Sequence, residues 1–72
     1  MVNETEIIEL THRAASLRQR AAHTRWLAER IDDVLAQHQL LQCAEELERQ
    51  AENFEIEAAV LEESCLEDAR AA

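Results

Sequence analysis

Three histidines, two cysteines and sixteen carboxylates are enough to build a metal centre or an acid–base pair, so their spacing comes first. A convincing zinc site needs two ligand pairs at short, fixed spacings. His38 and Cys43 are five apart, which on a helix turns them about 140° from each other, and His12 could meet Cys65 only through tertiary packing. Glu9 and His12 have the Glu-x-x-His spacing of di-iron bundles, but the chain has no second such pair. A nucleophile needs a base and an orienting group in a pocket. Ser16 and Ser64 read as helix-surface positions and Cys65 as a packing residue, so neither kind of site forms. The expectation is a protein with no catalytic residue, no metal and no cofactor.

The elements that carry these residues are set by what the chain lacks. It has neither Gly nor Pro, which removes the usual means of making tight turns and bulges, and it is rich in Ala, Leu, Glu, Gln and Arg. Long helices follow. At 72 residues a lone core is marginal, so association with another chain is expected. The net charge is −9 with every basic residue an Arg, which argues against a nucleic-acid partner because phosphate binding needs clustered cations. No apolar run is long enough to cross a membrane, and residues 1–6 lack the basic and apolar regions of a signal peptide. The expected setting is a soluble protein in the reducing cytoplasm. Cys43 and Cys65, about 33 Å apart on one helix at ~1.5 Å per residue, cannot bridge each other within a chain.

A seven-residue ladder of alternating small and large apolar residues organises the chain. It runs through Ile7, Leu10, Ala14, Leu17, Ala21, Thr24, Ala28, Ile31 and Leu35, then through Leu40, Ala44, Leu47, Ala51, Phe54, Ala58, Leu61 and Cys65. Between the two ladders the phase jumps by two, within Ala36-Gln37-His38-Gln39. Placing the turn there predicts helix one over about 4–36, a turn over about 37–39 and helix two over about 40–70, as one domain spanning 1–72. Asn3 and Glu6 form a capping-box pattern at the start, and Arg70-Ala71-Ala72 read as a frayed end. Folded back at that turn, Ile31 meets Ala44, Ala28 meets Leu47, Ala21 meets Phe54, Leu17 meets Ala58 and Ala14 meets Leu61. Each layer then pairs one large with one small side chain, which fills an antiparallel seam without voids. The alternative is a single helix of about 65 residues pairing with a second copy.

Charge favours the hairpin. Helix one carries Arg13, Arg18, Arg20, Arg25 and Arg30, whereas residues 40–72 carry ten acids against Arg49 and Arg70. The proposed register sets Arg18 and Arg25 on the side of Glu48, Glu55 and Glu62, and Arg13 and Arg20 on the side of Glu57. Exposed pairs of this kind choose orientation more than they create stability.

Several apolar residues fall outside the seam. Ile8, Ala15 and Ala22 line one flank of helix one, and Leu27, Val34 and Leu41 widen the stripe near the turn. Ile56, Ala59, Val60 and Leu66 turn partly away from helix one, and Trp26 sits opposite the seam. Two hairpins packing into a four-helix bundle would bury this second stripe. A protein-binding face anchored on Trp26, with Arg25, Arg30, Ile56 and Val60, would use it differently, since Trp and Arg dominate many interfaces. Two further readings concern charge: the acids of helix two as a mimic of nucleic-acid phosphates, and the Arg band of helix one as an RNA contact in a dimer.

The layered hairpin resembles the plasmid-encoded repressor-of-primer (Rop) dimers, which implies a homodimeric four-helix bundle and RNA binding. Residues Leu47 to Leu61, with Ala51, Phe54, Ala58 and Val60, are similar to the second helix of the type III secretion needle co-chaperones, which implies shielding of an apolar partner. In size and acidity the chain also looks like the small phage or bacterial inhibitors that disable a host transcription activator or motor. The functional expectation is accordingly a non-catalytic, acidic anti-activator that binds and sequesters another protein. The fold expected to support it is an all-α antiparallel two-helix hairpin, coiled-coil-like, dimerising into a four-helix bundle.

Overall fold

A computed structural model describes residues 4–71, which form two helices, α1 (Glu4–Arg30) and α2 (Val34–Ala71), packed side by side. The result is a rod of 59 × 14 × 13 Å. Asn3, the expected cap of α1, and Ala72 lie outside the described residues. Glu4 and Glu6 occupy the first turn of α1 and Arg30 its last, each the sign that the helix dipole favours. α2 continues through Ala71, so the fraying expected at Arg70 and Ala71 is not seen in its backbone.

The turn is not at 37–39 but at Ile31-Asp32-Asp33, and α1 ends at Arg30 rather than near Ala36. Two consecutive acids oppose the negative C-terminal end of one helix and suit the positive N-terminal end of the next. Asp33 takes the capping position: its Oδ1 accepts the Leu35 N–H at 3.1 Å and its carbonyl accepts the Gln37 N–H at 2.9 Å. Gln37 closes the other end, its Nε2 donating to the Ala28 carbonyl at 3.1 Å, beside the 3.4 Å bond from the Ile31 N–H. Among the described residues none has positive φ, so side-chain caps replace the left-handed glycine that usually ends a helix.

Moving the turn changes the register by a few residues. Arg18 is bonded to Glu55 and feels the charges of Glu48 and Glu52, while Arg25 is bonded to Glu48. Leu10 and Leu61 line one cleft, and Ile7 and Cys65 line another. These partners lie nearer the turn than the layers expected from a turn at 37–39. Leu35, placed at the end of the first ladder, belongs instead to α2 and is exposed.

The buried core of the hairpin consists of six alanines, Ala14, Ala21, Ala28, Ala44, Ala51 and Ala58, each 6% exposed or less. A methyl group at every seventh position lets the two backbones approach closely. The large seam residues cannot enter that gap. Ile7, Leu10, Leu17, Ile31, Leu40, Leu47, Phe54 and Leu61 are half-buried, as is Thr24, whose hydroxyl donates to the Arg20 carbonyl at 2.8 Å.

Candidate interaction surfaces

The seam alanines define two long sides of the rod. Residues four places after them, Arg18 and Arg25 on α1 and Glu48 and Glu55 on α2, lie on one side. Residues three places after them, Leu17, Thr24 and Ile31 with Leu47, Phe54 and Leu61, lie toward the other. That second side is edged by the residues one place before the alanines: Arg13, Arg20 and Leu27 on α1, and Cys43, Gln50 and Glu57 on α2.

The first side is closed by ion pairs. Arg18 grips Glu55 with both arms of its guanidinium, Nη2 to Oε1 at 2.5 Å and Nε to Oε2 at 3.0 Å. Arg25 holds Glu48 one heptad further along. Glu48 and Glu55 are held below the usual carboxylate range, chiefly by these hydrogen bonds, and both Arg are raised in turn. Glu62, which charge placed on this side, lines a cleft of about 360 Å³ at the open end with Glu4, Ile7, Ile8, Cys65 and Leu66. Beyond the ion pairs Ile8, Ala15, Ala22, Ala59 and Leu66 are exposed.

The second side is open. A cleft of about 270 Å³ is lined by Leu10 and Leu61 with Arg13, Glu57, Glu6 and Glu9 at its rim. The large side chains of the seam therefore reach solvent here. This open strip was missed in the sequence because the seam was assigned wholly to the hairpin. The signal was present: alanine at one core position of every heptad leaves too little depth to cover its large neighbours.

The five residues proposed to bind a partner do not form one patch on the hairpin. Trp26 is five places after Ala21, and Ile56 is five after Ala51, so each points away from the seam on its own helix and the two lie on opposite edges of the rod. Val60, two places after Ala58, shares the outer face of α2 with Ile56; both are 55% exposed. Arg25 is committed to Glu48. Trp26 and Arg30 do form a unit: the Arg30 Cζ lies 4.1 Å from the Trp26 ring centroid, and His23 stacks on the ring at 5.9 Å and 15°. Trp26 is thus flanked by Arg30 and His23 while 47% exposed.

Of the groups weighed for chemistry, His12, His38, Ser16 and Cys43 are exposed, and Ser64 and Cys65 are half-buried. Among the described residues no cluster of three His, Cys, Asp or Glu could hold a metal ion, and no helix is long and apolar enough to cross a membrane. No family model matches the chain, and no curated protein and no solved structure is similar to it.

Proposed function

We propose that the chain is a non-catalytic protein-interaction module, that it works as a homodimeric four-helix bundle, and that its outer surface sequesters another protein. The observation that carries this reading is that, among the described residues, no large side chain is fully buried in the hairpin. An accessible surface of 5764 Å² stands about 1,200 Å² above that of a compact monomer of this mass, roughly 4,600 Å². A standard interface covers about 800 Å² per partner, so the excess is of the size a second copy removes. The open strip continues the intramolecular seam and would become the bundle core.

For the outer surface, the supporting feature is Trp26, an exposed aromatic pre-positioned by Arg30 and His23, since a rigid aromatic anchor binds at small entropic cost. Mass measurement at low micromolar concentration tests the dimer; a cooperatively folded monomer there sinks the bundle. Affinity capture from the native host's lysate, with wild type beside Trp26→Ala, tests the anchor. Loss of a captured partner in the variant, with helicity and dimer mass unchanged, supports it. A collapse of the thermal transition makes Trp26 a stability residue and removes it from the binding face.

A further inference from the structure

We infer that the second copy packs with its turn at the same end, so that the two-fold axis runs along the rod and α1 of each hairpin lies against α2 of the other. This rests on the homodimer reading above and adds its symmetry.

The argument comes from the edges of the open strip. On α1 that edge reads Glu6, Arg13, Arg20, Leu27, and on α2 it reads Cys43, Gln50, Glu57, Ser64. A two-fold axis along the rod keeps every residue at its own height, so each edge meets the other helix's edge at the level it already has within the hairpin. That level is fixed by the cleft in which Arg13 and Glu57 sit together over Leu10 and Leu61. Across the new interface Arg13 therefore meets the partner's Glu57, Arg20 meets the partner's Gln50, and Leu27 meets the partner's Cys43. Each contact is complementary: cation to anion, cation to amide, apolar to thiol.

The other closed arrangement turns the second hairpin end over end, laying α1 on α1 and α2 on α2. Centred on each other, the α1 edges bring Arg13 against Arg20 twice over. Like charges facing each other at the rim of an apolar core oppose association, and this selects the parallel-hairpin form. The selected form also sets α1 of one copy beside α2 of the other on each broad outer face. Trp26 then shares a surface with the partner's Ile56 and the partner's Val60, residues that lie on opposite edges of a single hairpin.

Cys43 supplies the test. In a Cys65→Ala background, Leu27→Cys introduces a thiol opposite the partner's Cys43, and mild oxidation of the assembled protein should give a covalent dimer by non-reducing mass, in which peptide mapping finds position 27 joined to Cys43; a 27–43 link in a chain of monomer mass is within one hairpin and counts as no link. Links between two copies of position 27 or two copies of Cys43, or no link in a sample that is dimeric by mass, overturn the parallel form while leaving the homodimer intact. A sample that is monomeric by mass overturns both. As a second arm, chains carrying Arg13→Glu and chains carrying Glu57→Arg are mixed. In the parallel form each variant repels itself and attracts the other, so mixed dimers should rise well above the level of about half that random pairing gives. In the end-over-end form Arg13→Glu instead relieves its own Arg–Arg contact, and a strengthened Arg13→Glu homodimer would refute the inference.

Discussion

The two long sides of this rod are built from the same heptads and end up in opposite states. On one, Arg18–Glu55 and Arg25–Glu48 satisfy each other across the helix pair. On the other, Leu10, Leu17, Phe54 and Leu61 are left half-covered, with Arg13 and Glu57 at the rim. The cause is the alanine seam. Close approach of the backbones brings the flanking charges on one side within hydrogen-bonding reach and squeezes the large side chains out on the other. A hairpin of this kind is finished on one flank and unfinished on its opposite. The lesson is that good packing within a chain can itself create a surface that requires a second one.

The largest expected effect comes from breaking the unfinished flank. If a second copy covers it, Phe54→Ala removes a fully buried aromatic and costs about 3–5 kcal/mol per chain. If the strip stays open, the same change costs only about 1–2 kcal/mol, because a half-exposed ring has less area to lose. Urea unfolding at several protein concentrations separates the two: the midpoint of the wild type should rise with concentration, and that of Phe54→Ala should fall and lose most of this dependence. A concentration-independent wild type would leave the two flanks alike.

Much of the hairpin was legible in the ladder. The seam positions other than Leu35, the antiparallel sense and the side taken by Arg18 and Arg25 follow from seven-residue spacing and charge. The turn does not, because the break in apolar phase and the helix caps lie at different places in the chain. Ala36-Gln37-His38-Gln39 breaks the apolar phase, yet in the structure it lies in α2, with Gln37 in a seam position where its side chain caps Ala28. Asp32-Asp33 leaves the phase intact but opposes the α1 dipole and caps α2. Apolar periodicity cannot see a cap, so it cannot place the turn. Asp33→Ala tests the cap. It should cost about 1 kcal/mol, the usual worth of a helix cap, read as a lower thermal midpoint. If the turn alone selects the register, the variant should also show the Arg18–Glu55 pairing weakened, measurable as a smaller effect of Glu55→Gln in its background. The candidate anchors were legible by type only. Sequence identified Trp26, Ile56 and Val60 as lying outside the seam, but the helix pair puts Trp26 on one edge and the other two on the opposite edge.

The smallest effect tests the finished flank. Glu48 and Glu55 have their carboxyls held below the ordinary range, first by the hydrogen bonds from Arg25 and Arg18, with burial acting the other way and the Arg charges adding a smaller lowering. A group whose folded pKa is depressed contributes stability that is fully present above its unfolded value, near about 4.3 for Glu, and is lost as pH falls through the lower folded value. The double variant Glu48→Gln with Glu55→Gln should therefore be less stable than wild type at pH 7 and match it once the pH has fallen below the folded values of both groups. The relief of the −9 net charge on acidification acts on both proteins and cancels in the difference. Because the Glu48 and Glu55 side chains are 39% and 45% exposed, added salt at pH 7 should shrink the same difference. The open flank behaves otherwise: salt screens Arg13 and Glu57 but leaves the apolar strip between them, so dimer mass should survive conditions that erase the Glu48 and Glu55 effect. A difference between wild type and the double variant that persists unchanged into acid would mean that these carboxylates act through packing, and the two flanks would then be closed by the same force.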